Sequence, residues 1–403
     1  MSGLAACRSS AQVQCPKNAE DFQYLGLRGG YAHDIERTAF FGEQHFVARL
    51  LTLQVARGAA ANLVVLSHLW SVSNKYTGGV LPTCAFYGVA GVDLFFVLSG
   101  FIMVAIAGNS ISPAQFLWRR AVRILPSYWL ITTVVLCVSL VAPAMVNSSV
   151  TAPISIWRSF LLIPQEPPPL LAVGWTLIHE AYFYLVFAAL LFLRMPIVTG
   201  LTLWIGCLVG LSLICRGDAS PVMHVITSPL TAEFMMGALV GVLYRQALVP
   251  LGALATGIGV TALAADVVWT APALSLVSQP NLNLWRVFLF GLPAAFIIYG
   301  LAARELHTSP RPHALLVTVG DISYATYLVH VLVLSAIGRL LELMISPGIG
   351  ATCVLVLVGI PAVNFVGALV YRLFERPSIA ILNDTQRAFL IGVALKVRRR
   401  RAA

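Results

Sequence analysis

The sequence predicts an all-α, polytopic integral membrane protein of about ten transmembrane helices, with N- and C-termini cytoplasmic. Three observations predict it. Of 403 residues, 59% are hydrophobic and only 10% charged, with a mean hydropathy of +0.85. A soluble domain carries about 25% charged residues, so this composition cannot cover a water-facing surface and suits a chain solvated by lipid. Apolar runs near the ~20 residues that cross a bilayer recur along the chain, and the basic residues concentrate in alternate connections between them.

The runs lie at 58–73, 83–107, 124–145, 172–193, 197–215, 228–246, 250–270, 284–304, 314–338 and 349–373. Backbone groups in hydrocarbon must find partners within their own segment, so each run is read as a helix. The 228–246 run is short and polar enough to be the weakest candidate. With the N-terminus inside, 21 of the 26 lysines and arginines fall on the cytoplasmic side, and 5 (Lys75, Arg158, Arg216, Arg286 and Arg339) fall outside. That bias sets the orientation. The net charge of +10 therefore reads as topology signal and lipid-headgroup contact, and no nucleic-acid partner is expected.

Three regions follow. Residues 1–46 are a polar extension with no apolar core long enough for a signal peptide, either a disordered cytoplasmic segment or the product of a start codon placed upstream. Residues 47–377 hold the transmembrane domain, and 378–403 form a basic cytoplasmic tail ending "KVRRRRAA". The seven cysteines have no paired metal-ligand spacing and read as small hydrophobes.

Polar groups inside the apolar runs are costly and carry the functional reading. "RGAAANLVVLSHLW" sets Arg57 eleven residues before His68. On a helix that is about 16.5 Å of rise and three turns plus about 20°, so both share one face at different depths. Arg57 is placed at the cytoplasmic rim and His68 near mid-membrane; the structural alternative is a snorkelling anchor and a satisfied helix contact. Asp93, in "YGVAGVDLFFVLSGFIM", is placed at the depth of His68, where it either orients that imidazole or bonds to another helix. Gly88, Ala90, Gly91, Ser99 and Gly100 permit close helix approach.

"FLWRRAVRILPSYW" clusters Arg119, Arg120 and Arg123 at the cytoplasmic mouth, with Arg119 and Arg123 at i, i+4. The cluster is either a topology anchor or a phosphate site. "VGWTLIHEAYFYLVF" puts Glu180 in the outer half of the membrane beside Trp175, Tyr182 and Tyr184. No second histidine follows at the zinc-protease spacing, so no metal site is expected. "VGDISYATYLVHVLVL" sets Ser323, Tyr327 and His330 on one stripe, read as interhelical bonding or substrate contact. Glu233, Asp266 and Arg286 are placed toward the outer side, around an acceptor pocket.

Five blocks, "LQVARGAAANLVVLSHLW", "GVDLFFVLSGFIM", "RRAVRILPSYW", "GWTLIHEAYFYLVF" and "GDISYATYLVH", closed by "FERP", span about 53–377. In this order they resemble the membrane acyltransferase-3 family, within it the ExoZ-like exopolysaccharide and O-antigen O-acetyltransferases. The resemblance implies an O-acyltransferase of the bacterial inner membrane. Such an enzyme moves an acetyl group from cytoplasmic acetyl-CoA to a carbohydrate hydroxyl on a polysaccharide repeat unit, a lipid-linked sugar or O-antigen. It implies His68 as the catalytic residue and ties Arg57, Arg119, Arg120 and Arg123 to CoA. Glu180 falls in a family block whose usual aromatic neighbour is replaced here by His179. In the mechanism that follows, His68 is general base, Asp93 orients it, and Glu180 with Trp175, Tyr184, Tyr327 and His330 holds the sugar. Acetyl-CoA is the donor and no metal takes part. Some relatives complete transfer with a further periplasmic domain, which makes a polysaccharide-assembly partner the alternative to direct transfer. The rival readings are a transporter or flippase, which calls for internal repeats and interrupted half-helices, and a non-catalytic partner in polysaccharide assembly.

Overall fold

The computed structural model describes residues 50–106, 111–143, 154–215, 220–270, 284–308, 310–386 and 388. The N-terminal extension, His33 and His45, and most of the basic tail lie outside the described residues. Every described element is helical, and a helix occupies each of the ten expected intervals. Among the described residues eight helical stretches are long and apolar enough to cross a membrane.

α1 is Leu51–Val72, continued by a π turn over Ser73–Thr77. It has the length of a span, but Gln54, Arg57, Asn62 and His68 keep it out of the eight. It begins about two turns earlier than expected, because Thr52 at its start gives both its backbone amide and its hydroxyl to Glu305. Arg57 thereby lies inside the helix. A 3₁₀ segment, Thr83–Val89, leads into α2, Ala90–Ile106. α3, Pro113–Val141, also starts early: Ser112 caps the Gln115 amide and Pro113 stands at the first helical position. The three arginines are therefore carried on a helix rather than on a loop before it.

After a short α4 (Ile156–Leu161) come α5 (Gly174–Phe192) and α6 (Ile197–Ile214). α7 (Pro221–Ile226) and α8 (Leu230–Arg245) together give the doubtful sixth run membrane length. α9 is Gly252–Thr270, and α10, Leu292–Thr308, follows a π turn over Val287–Gly291. The ninth run is not one straight helix. α11 (Ala314–Asp321) ends and α12 (Ser323–Met344) begins at Ile322, whose ψ of −2° bends the axis while hydrogen bonds continue across it. α13, Ile349–Val370, closes with a π turn over Tyr371–Glu375.

Small residues set the helix spacing. A Cβ on Gly237 of α8 would stand 1.8 Å from the Val97 carbonyl of α2, and one on Gly100 of α2 would stand 1.9 Å from the Phe234 carbonyl of α8. Backbones this close are the membrane form of tight helix packing. Gly88 and Gly91 bring the start of α2 equally close to α1. This packing holds α1 and α2 together beside α12, and it positions the site.

Candidate active site

Two histidines meet between α1 and α12. The His68 and His330 rings are 4.5 Å apart and nearly perpendicular. His68 Nδ1 is 3.1 Å from the Val64 carbonyl oxygen, and His330 Nδ1 is 2.5 Å from that of Tyr327. A carbonyl oxygen only accepts, so in the neutral rings Nδ1 carries the hydrogen and Nε2 keeps its lone pair. His330 is fully buried and its Nε2 has no hydrogen-bond partner; His68 is half-buried. An imidazole held in this tautomer by its own helix is prepared to take a proton at Nε2.

Asp93 does not orient His68. Its two oxygens accept from Nε and Nη2 of Arg286, each at 2.8 Å, and both side chains are within 1% of complete burial. A guanidinium sunk in the bundle needs a two-toothed carboxylate to offset its desolvation, and that demand fixes Asp93. Glu233 is buried in electrostatic contact with the same pair. The sequence placed Glu233 and Arg286 around an outer acceptor pocket, but both are buried in the interior; Asp266 is a half-exposed residue of α9.

Glu180 joins the arginines instead of a separate outer site. Ser99 Oγ donates to it at 2.9 Å, and the Tyr184 hydroxyl also donates to it. The Arg120 guanidinium lies 5.9 Å from the Tyr184 ring centre and 5.7 Å from that of Phe116. Arg57 faces Arg123, Glu375, Glu180 and Tyr184. It is steadied by Gln54, which accepts from Arg57 at 3.2 Å and donates to Asp321 at 2.6 Å. Arg120 faces Arg123, Glu180 and Tyr184 as Arg57 does, while the half-buried Arg119 is absent from the charges that Arg57 faces.

α12 joins this basic group to the histidines. Tyr324 faces Glu375, Glu180, Tyr184 and Arg123, and its hydroxyl donates to the Ile124 carbonyl at 2.9 Å. Tyr327, one turn on, shares a 2.7 Å hydrogen bond with Thr176 and lies 5.6 Å from the His330 ring. From Tyr324 to His330 is about 9 Å of helix rise. Trp175 packs edge-on against His179, whose Nδ1 faces the Trp175 carbonyl at 3.0 Å. Sequence reasoning gave no role to Tyr324 or Glu375. "FERP" was quoted as a motif, but only the fold turns Glu375 toward Arg57 and Arg123.

Membrane-length helices around convergent arginines and a histidine pair have the parts of a membrane-embedded group-transfer enzyme. The chain belongs to the acyltransferase family described as an acyltransferase domain, which matches residues 50–385. It is 32% identical over 301 residues to the exopolysaccharide production protein ExoZ of Rhizobium meliloti (strain 1021), covering 72% of this chain and 89% of the relative. It is 28% identical over 323 residues to the acyltransferase MdmB of Streptomyces mycarofaciens, covering 72% and 80%. No solved structure matches it. The protein is a multi-pass membrane acyltransferase.

Proposed function

We propose that the enzyme takes an acetyl group from acetyl-CoA at the arginine end and delivers it to a carbohydrate hydroxyl at the histidine pair. The observation that carries this reading is the continuous line from Arg57, Arg120 and Arg123 through Tyr324 and Tyr327 to His330 and His68. The arginines hold the CoA phosphates, with Arg120 kept in place by the Phe116 and Tyr184 rings. Glu180 serves this donor end by anchoring the Tyr184 hydroxyl. The pantetheine arm runs along α12 and brings the thioester to the histidines.

There His68 Nε2 takes the proton of the acceptor hydroxyl as its oxygen attacks the thioester carbonyl carbon. The tetrahedral intermediate collapses with cleavage of the carbon–sulfur bond. The leaving thiolate receives the proton back from the imidazolium, giving the O-acetyl ester and free CoA. The name of the relative ExoZ supports a sugar acceptor destined for exopolysaccharide, whether a repeat unit, a lipid-linked sugar or O-antigen. The basic bias supports cytoplasmic termini in a bacterial inner membrane.

The test is acetyl transfer from labelled acetyl-CoA by purified His68→Ala. Loss of the general base is expected to slow transfer by about 10²–10⁴-fold with acetyl-CoA binding retained. Transfer at the wild-type rate by inserted protein sinks the assignment.

A further inference from the structure

On the side of α1 away from the histidines, a cavity of about 440 Å³ runs between α1 and α10. Ala56, Ala59 and Leu63 form one wall, and Ile297 and Leu301 form the other. Apart from Thr52 its lining is apolar until it reaches Arg304, exposed at one end. The groove exists because alanines stand where two facing helices would otherwise interlock. Along α10 it extends from Phe290 to Arg304, about 21 Å of helix rise. One leaflet's hydrocarbon is about half of the roughly 30 Å core, so the groove is long enough to hold a lipid chain along its length.

Its far end is basic. Of the α10–α11 connection, "RELHTSPRPH", Arg304 and Pro312 line the cavity, and Arg311 is an exposed residue next to Pro312. The acid of that connection, Glu305, is turned inward and bonded to the amide and hydroxyl of Thr52. An apolar slot ending in exposed arginine matches an acyl chain joined to a phosphate. We infer that this groove is a binding site for one acyl chain of an anionic phospholipid, with its headgroup phosphate against Arg304 and Arg311. The occupant lies against the back of the helix that carries Arg57 and His68, so it braces α1 without entering the transfer path.

The test uses the full chain in lipid nanodiscs carrying trace phosphatidylglycerol or phosphatidylcholine with a diazirine on the acyl chain. After illumination, labelled peptides are mapped by mass spectrometry. The expected result is labelling concentrated on 55–63 and 294–301, with phosphatidylglycerol favoured by about tenfold. Arg304→Gln with Arg311→Gln, at exposed positions, is expected to erase that preference while labelling persists. Ala59→Phe with Ala294→Phe fills the slot and is expected to abolish the labelling. Even labelling over the helix surface, or equal labelling by the two lipids, overturns the inference. So does displacement of phosphatidylglycerol by an equal amount of polyprenyl phosphate, which assigns the groove to a lipid carrier.

Discussion

The pairing of Asp93 shows why depth alone did not identify His68's neighbours. Asp93 and His68 were matched by their distance along two adjacent helices. The residue that claims Asp93 stands 193 positions later, and nothing local announces it. A buried guanidinium outcompetes an imidazole for a carboxylate because it takes both oxygens at once and carries a fixed charge. Asp93 therefore holds the bundle together. Asp93→Asn leaves Arg286 buried without its counter-charge, which costs on the order of 3–5 kcal/mol. A clearly lowered unfolding temperature in detergent is expected, whereas His68→Ala is expected to keep the wild-type temperature. The arginine triplet separates in the same way. Arg123 faces Arg57 and Glu375, and Arg119 does not share that environment. With charged hydrogen bonds contributing about 1.5–3 kcal/mol, Arg123→Gln is expected to weaken acetyl-CoA binding by about tenfold or more in equilibrium titration. Arg119→Gln is expected to change it little; equal losses at both positions contradict the assignment.

At the scale of elements, what repeats within a helix was legible and what bends or caps it was not. Eleven residues on one helix put Arg57 and His68 near one face at different depths; His68 meets His330 of α12, and Arg57 faces Arg123, Glu180 and Glu375. The stripe on α12 was read as Ser323, Tyr327 and His330. In the fold Ser323 is buried on the same helix, and Tyr324, one turn before Tyr327, adds a contact to Ile124 that the stripe did not include. The early starts of α1 and α3 were missed because hydropathy does not register a cap such as Ser112 or a partner as remote as Glu305. Small residues, by contrast, declared their role in advance: Gly88, Gly91 and Gly100 each lie against a neighbouring backbone carbonyl. Gly237 makes the tightest of these approaches, 1.8 Å from Val97 O for an added Cβ. Gly237→Ala must push α8 off α2, at about 1–3 kcal/mol for overpacking. A lower unfolding temperature with unchanged acetyl-CoA affinity is the expected outcome, because the arginines do not depend on that contact.

For the molecule as a whole, composition was enough for an all-helical membrane protein, and the uneven arginines supply an expected direction. Arg57, Arg120 and Arg123 stand at one end of the line and the histidine pair at the other, and α1 and α12 each contribute to both ends. A donor whose charge resides in its phosphates can enter only where guanidinium groups replace its water. Its neutral thioester arm is the part suited to go deeper. On the proposed reading the acceptor reaches the histidines without passing the arginines. Transfer would then be vectorial, and proteoliposomes of known protein orientation test it directly. Acetyl-CoA supplied only on the side of the α10–α11 connection, where Arg304 and Arg311 lie, is expected to support acetylation. The same concentration supplied only on the side of Lys75 and Arg339 is expected to support none. Equal rates from both sides would mean that the arginines do not form the donor entrance.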